Sequence, residues 1–379
     1  MTNNPLLQIE KEYGQSIWMD NLSRNIIESG ELKELLVSRG IVGITSNPAI
    51  FEKAIAGNKI YDPDIEKGIK AGKSVMEIYE SLVFTDVRNA CDILRDIYEK
   101  TNGLDGYVSI EVPPNLAYNT EETIREAQRY YEAIGRDNVM IKIPGTPEGL
   151  IAVEKVIAAG INVNVTLLFS VKSYVEAAWA YIRGLEARVA EGKDISRIAS
   201  VASFFISRID TNIDARLDKL IAATEEPQKQ EELRQMKGKF AIANAKIAYQ
   251  KYKEIIKSER WQALAAKGAK PQRLLWASTS TKNPEYSDVI YVDSLIGPDT
   301  VNTMPPATIE ACADHCNVEN RIETDLDAAY KLTETLPQIG INLDEVMAEL
   351  LADGIEKFIQ PFNSLMKSLE AKVNQLATV

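Results

Sequence analysis

Lys142 stands in an apolar run, Val139-Met140-Ile141-Lys142-Ile143, which Pro144-Gly145 ends. On a strand face that meets water, a lysine needs no explanation. Inside a core, the site must either solvate its ammonium or use its amine. In the second case burial disfavours the charged form and lowers the lysine pKa. The neutral amine can then attack a ketone and form a Schiff base, an electron sink for the adjacent C–C bond. Such chemistry needs proton carriers. The sequence has one histidine, His315, so acid–base work would fall mostly to carboxylates, Lys or Tyr.

A lysine of this kind must be held by a scaffold, and short apolar runs alternate with longer amphipathic ones along the chain. Strands are expected at 16–20, 40–46, 106–112, 138–143, 161–167, 198–204, 273–279 and 299–304. Helical patterns such as NTEETIREAQRYYEAIG lie between them, opening on Asn or Thr and closing at Gly. Eight βα units predict an α/β protein, a closed (β/α)8 TIM barrel. Such a barrel needs about 250 residues, so the chain carries additional helices. A helical insertion is expected over about 222–270, after strand six, and a helical extension over about 320–379. With no repeat, low-complexity segment or linker, 1–379 reads as one elaborated domain. The surplus helices could cover the barrel base or form a homodimer interface.

The active site of such a barrel lies at the C-terminal ends of its strands. The polar residues to collect there are Asp20, Asn47 in TSNP, Glu111, Lys142, Asn164, Thr166, Ser203, Arg208 and the run ASTSTK at 277–282. Together they supply a lysine, two carboxylates, two amides, several hydroxyls and two cations. The amides could hold hydroxyls of a dihydroxyacetone unit, and the cations suit a terminal phosphate. Each residue also has a plainer reading. Glu111 could be a paired buried acid, Asn47 a turn residue before Pro48, and Arg208 half of a helix-start ion pair with Asp210.

Net charge is −12, which argues against a nucleic-acid coat or an anionic membrane surface but not against a small phosphorylated substrate. No apolar run approaches the roughly 18 residues of a membrane span. The N-terminal residues lack the pattern of a secretory leader, so a cytoplasmic setting is expected. Cys91, Cys312 and Cys316 are too few for a disulfide framework. Cys312, His315 and Cys316 sit together but lack a second ligand cluster, so no metal site is expected and the segment reads as a helix end packing inward.

Several stretches together resemble the transaldolase family. GIVGITSNPAIFEKAI resembles its second-strand signature and VMIKIPGTPEGLIA its Schiff-base lysine motif. GINVNVTLLFS resembles its fifth strand, SVASFFISRID its sixth, and LLWASTSTKNPEYSD the seventh in a longer bacterial branch. The resemblance runs from about residue 14 to 365. It implies a class I aldolase barrel of the pentose phosphate pathway that needs no metal or organic cofactor. Such an enzyme moves a dihydroxyacetone unit from sedoheptulose 7-phosphate to glyceraldehyde 3-phosphate. On matching positions it implies Lys142 as the Schiff-base nucleophile and Asp20 as the acid/base for the hydroxyl proton. Glu111, through a water held with Thr166, would assist carbinolamine dehydration. Asn47, Asn164 and Ser203 would contact the sugar, and Arg208 the phosphate.

One position departs from the family pattern. Shorter relatives place a second phosphate arginine after the seventh strand, in an Ala-Ser-x-Arg arrangement, where this chain has Ser280. Lys282, with the hydroxyls of Ser278 and Ser280, is expected to take over that contact. A shorter sister branch cleaves fructose 6-phosphate without a sugar acceptor and carries Gln where Glu111 stands and Tyr where Phe205 stands. That lyase activity is the alternative reading. Glu111, Phe205 and the chain length favour the transferase, because an apolar Phe205 offers a waiting carbanion no O–H.

Overall fold

The computed structural model describes residues 4–378; residues 1–3 and 379, the ends of the expected 1–379 domain, lie outside the described residues. Eight strands form a closed parallel barrel in sequence order: β1 (Gln15–Asp20), β2 (Ile44–Thr45), β3 (Val108–Glu111), β4 (Val139–Pro144), β5 (Val163–Leu168), β6 (Ser200–Phe205), β7 (Arg273–Ala277) and β8 (Thr300–Met304). β8 pairs back onto β1, with Ser16 opposite Val301. This is the expected (β/α)8 barrel with surrounding helices.

The strands are near-continuous in burial, as a parallel sheet covered on both faces requires. β2 is shorter than the expected 40–46. Gly40 takes a left-handed backbone, φ +68°, which turns the chain out of strand geometry. At Gly43 any Cβ would run into the Trp18 ring. The hydrogen bonding nevertheless continues ahead of β2, with Val42 N–H donating to Ile17 O and Gly106 N–H to Val42 O.

The N-terminal end of the barrel is closed by a buried ion pair. Arg273 Nη2 meets Asp105 Oδ1 at 2.9 Å, and the same carboxylate accepts from Trp18 Nε1 and Ser16 Oγ. With these partners supplied, the buried charges do not stand unpaired. The polar C-terminal mouth is the end left for ligands.

Four helices, Ser207–Ala223, Pro227–Met236, Phe240–Ile256 and Glu259–Ala265, join β6 to β7. Phe240, Ile247 and Tyr249 are buried, and Ile242 is partly buried against the core. After β8 come helices Pro306–His315 and Leu326–Gln338, and then one helix of 35 residues, Leu343–Ala377. This last helix covers the opposite end from the base. It packs on helices Pro48–Ile55 and Ser207–Ala223 and on β5, so it crosses the C-terminal mouth.

The 285–298 loop contains a short helix, Ile290–Asp293. Cys312 is buried and its sulfur is paired with that of Cys316, a single local pair. Exposed His315 bonds Asp288 and Asp314. Among the described residues, no group of three or more His, Cys, Asp or Glu could hold a metal, and no helix is long and apolar enough to cross a membrane.

Candidate active site

Strand register brings the lysine and its neighbours into one row. Glu111 of β3 lies opposite Lys142 of β4, and Lys142 opposite Asn164 of β5. Lys142 is buried; its Nζ donates to the Ser46 carbonyl at 2.8 Å and lies 3.3 Å from Glu111 Oε1. Ser46 is itself fixed through its Oγ, which donates to the Ser109 carbonyl. The amine is therefore held on a rigid floor between a carboxylate and a carbonyl, in a cavity of about 210 Å³ at the barrel mouth.

Glu111 pairs with Lys142 and has no other polar partner among the described residues. Burial pushes its carboxyl up to about 7, with the Lys142 charge pulling the other way. The Thr166 hydroxyl, also on the cavity wall, is buried without a hydrogen-bond partner. Asp20 sits across the mouth, beside Thr45 in the β1–β2 register. Burial raises its pKa too, opposed by Lys142, by a hydrogen bond from Thr45, and by Arg208 and Lys282. Thr45 Oγ1 donates to Asp20 Oδ1 at 2.8 Å and lies 2.7 Å from Thr303 Oγ1.

Two cations face this group from the far wall. Arg208 lies in the first turn of helix Ser207–Ala223. Its Nη1 is buried without a hydrogen-bond partner, and its guanidinium stands 5.2 Å from the Phe205 ring centroid. The ion pair with Asp210 does not form. Asp210 instead accepts from Tyr291 Oη at 2.7 Å and from Ala241 N–H at 2.8 Å, which leaves Arg208 free to face the cavity. Lys282 Nζ donates to Ser280 Oγ at 2.6 Å. Both cations have lowered pKa values, chiefly from burial, and the Arg208 charge adds to the effect at Lys282. Two cations that disfavour each other's charge are relieved by an anion placed between them.

Ser278 turns the chain at the end of β7 with φ +54°, and its Oγ lies 2.9 Å from Ser207 Oγ. That link ties the Ser280–Lys282 segment to the helix that bears Arg208. Asn47 Oδ1 caps helix Pro48–Ile55 by accepting from Ile50 N–H, and the residue also lines the cavity. Asn164 lies beneath the cavity, bonded to Ser203 Oγ at 2.7 Å and to Ser109 Oγ at 3.1 Å. It thereby positions Ser203, which does line the mouth.

Four lining residues are not among the candidates drawn from the sequence: Thr45, Thr303, Pro305 and Phe358. The first two occupy inward positions at strand ends and follow from the register. Phe358 comes from the C-terminal helix, and nothing in its local sequence marks it.

A closed parallel barrel with a buried lysine paired to a carboxylate and two cations at the C-terminal mouth defines an enzyme scaffold of the TIM-barrel class. The chain matches the family described as transaldolase/fructose-6-phosphate aldolase over residues 17–369. It is 68% identical to a protein named transaldolase from Trichodesmium erythraeum and 69% identical to one named transaldolase 2 from a Nostoc species, over the full length of both partners in each case. A transaldolase from Saccharopolyspora erythraea is 46% identical over 99% of this chain and all of its own. The chain belongs to the transaldolase/fructose-6-phosphate aldolase family.

Proposed function

We propose that the protein is a transaldolase that carries a dihydroxyacetone unit on Lys142 from sedoheptulose 7-phosphate to glyceraldehyde 3-phosphate, giving erythrose 4-phosphate and fructose 6-phosphate. The observation that carries this reading is the Lys142 amine, buried 3.3 Å from Glu111 and facing the Arg208–Lys282 wall. The amine adds to the ketose C2 carbonyl. The carbinolamine then loses water, for which Glu111 supplies the proton. A carboxyl held near 7 is partly protonated at neutral pH and suits that task. Beyond its pair with Lys142, Glu111 has no polar partner among the described residues and the Thr166 hydroxyl has none, so both are left to bind the water of this step.

Asp20 takes the proton from the C4 hydroxyl as the C3–C4 bond breaks. The bond's electron pair flows into the iminium to give an enamine, and the aldose leaves as an aldehyde. In the second half, the enamine carbon attacks the acceptor aldehyde and Asp20 returns the proton to its oxygen. Asn47 and Ser203 hold the donor hydroxyls, with Asn164 behind Ser203. Arg208, Lys282 and the hydroxyls of Ser278 and Ser280 take the phosphate. Every one of these groups comes from one chain, so the reading does not depend on a homodimer, and the barrel with its added helices acts as one domain. Charged sugar phosphates are retained inside cells, which goes with a cytoplasmic setting.

Trapping with borohydride in the presence of fructose 6-phosphate, followed by peptide mass spectrometry, tests the reading. A three-carbon adduct on Lys142 is expected; folded protein with no adduct would remove its central support. The lyase reading predicts release of dihydroxyacetone at the transfer rate with no acceptor present. Phe205, apolar at the cavity wall, weighs against it.

A further inference from the structure

The helices added after β6 and β8 frame a second cavity, which shares no lining residue with the active site. It measures about 850 Å³, within the range of pockets that hold small organic ligands. It lies where helix Phe240–Ile256 packs on helix Leu326–Gln338. Met236, Ile242, Leu332 and the Tyr286 ring give it apolar walls. Tyr286 is held in place: its Oη donates to Asp214 Oδ2, and a Cβ at Gly238 would stand 2.7 Å from its Cζ. The charge of the lining is unlike that of the chain. Four lysines, Lys237, Lys239, Lys246 and Lys331, stand with two carboxylates, Glu232 and Asp325, in a protein of net charge −12. Lys237 is engaged by Asp218 at 2.7 Å. The other three form no ion pair among the described residues.

Lys246 is the residue that needs an explanation. It is 6% exposed, and its Nζ donates to the Thr324 carbonyl at 2.8 Å and to Thr324 Oγ1 at 3.1 Å. An ammonium has three donors, so one is left over. Burial lowers its pKa, and the charge of Asp325, beyond ion-pair distance, opposes that only in part. A buried ammonium without a counter-ion is costly, and an anion at the third donor would offset the cost. Thr324 leads into helix Leu326–Gln338. The N-cap of that helix, Asp325, has a left-handed backbone, φ +58°, and its side chain makes no cap. The first-turn amides therefore add partial positive charge at the Lys246 end of the cavity, where Asp325 and Asp327 are the nearby carboxylates.

We infer that this cavity is a binding site for an organic anion with an apolar body, its phosphate or carboxylate head held by Lys246 and the first turn of helix Leu326–Gln338. The body lies along Ile242, Leu332 and the Tyr286 ring. Lys239 and Lys331, both exposed at the rim, favour the approach of negative charge. The site differs from the barrel mouth in chemistry as well as place. The mouth is about 210 Å³ and lined by carboxylate, hydroxyl and amide groups that suit a sugar. The second cavity rewards apolar surface, which a sugar phosphate lacks. The inference stands apart from the Lys142 chemistry and does not depend on it.

The test is equilibrium dialysis of the full-length protein against α-naphthyl phosphate, read by its fluorescence, with and without excess fructose 6-phosphate. Saturable binding of one molecule per chain is expected, and it should persist when the sugar phosphate occupies the mouth. α-Naphthoate is run beside it, and the tighter of the two identifies the head group. α-Naphthol, which lacks the anion, and inorganic phosphate, which lacks the body, should both bind at least about tenfold more weakly. Lys246→Met keeps the length and packing of the side chain and should weaken binding about tenfold to a hundredfold, the span of a hydrogen bond to a charged group. Ala328→Trp fills the groove from an exposed helix position, so it keeps the test decisive if the methionine variant fails to fold; it should abolish binding. Four results overturn the inference: no binding to the wild type at millimolar concentration, binding lost to fructose 6-phosphate, naphthol binding as tightly as the anion, or unchanged binding in either folded variant.

Discussion

Replacing Lys282 with alanine tests the phosphate wall at the position where the chain departs from its family's shorter members. Lys282 is exposed by surface area, although neighbouring protein excludes part of the water around its ammonium at the cavity mouth. A hydrogen bond to a charged group contributes about 1.5–3 kcal/mol. Solvent screening at this half-open site reduces that to roughly 1–2 kcal/mol, or about fivefold to thirtyfold in KM for a phosphorylated donor. The loss should vanish with unphosphorylated fructose, since the missing partner is then absent from both proteins. A second effect has a definite sign. Lys282 helps hold the Asp20 carboxyl down, so removing it raises that pKa and moves the acid limb of kcat/KM to higher pH. Lys282→Arg should recover most of the affinity, because a guanidinium can bind phosphate through two parallel bonds. Steady-state kinetics with fructose 6-phosphate and fructose decide the matter. An unchanged KM for the phosphorylated donor, or an equal loss with both donors, refutes the assignment.

Glu111→Gln should lower kcat about a hundredfold, since the dehydration step loses its proton carrier. Its stability signature is separate: the folded pKa of about 7 lies above the ordinary 4.5, so the contribution of Glu111 is complete below pH 4.5 and is lost as pH rises through 7. The urea midpoint of the glutamine variant should therefore lose part of its decline across that window, and an identical pH slope would contradict the argument. Thr45→Val removes a hydrogen bond that lowers the Asp20 pKa; Asp20 must be ionised to accept the hydroxyl proton, so the acid limb of kcat/KM should shift upward, and a fixed limb would exclude the role. Gly43→Ala pushes a methyl into the Trp18 ring and should cost roughly 1–3 kcal/mol of stability by overpacking; an unchanged thermal midpoint would show that the ring can move aside.

Much of this site follows from a single rule, that barrel chemistry gathers at strand C-termini. Lys142 betrays itself because a parallel strand is buried on both faces, so a charge within it must have partners. Register then predicts which ones, and Glu111 and Asn164 do flank it. Asn47 shows the rule's ambiguity: the same side chain caps a helix and lines the cavity, and sequence alone could favour either use. Arg208 and Asp210 show its limit. Two opposite charges two positions apart invite a local ion pair, but residues distant in sequence decide otherwise. Tyr291 and the Ala241 amide take the carboxylate, and the guanidinium is left to the cavity.

Phe358 escapes the rule altogether. Its helix carries an ordinary apolar stripe of the kind that packs on any core, and only the three-dimensional path over the mouth turns one position of that stripe into a wall of the active site. The same path brings Gly354 close to the site, where an added Cβ would stand 2.9 Å from Leu167 Cδ2 and 3.5 Å from Arg208 Nη1. A helix that crosses the mouth must come close enough to exclude water, yet leave Arg208 and Lys142 accessible to substrate. A missing Cβ at Gly354 and a ring one turn later satisfy both demands. The helix therefore lines the site through Phe358 as well as packing on the barrel.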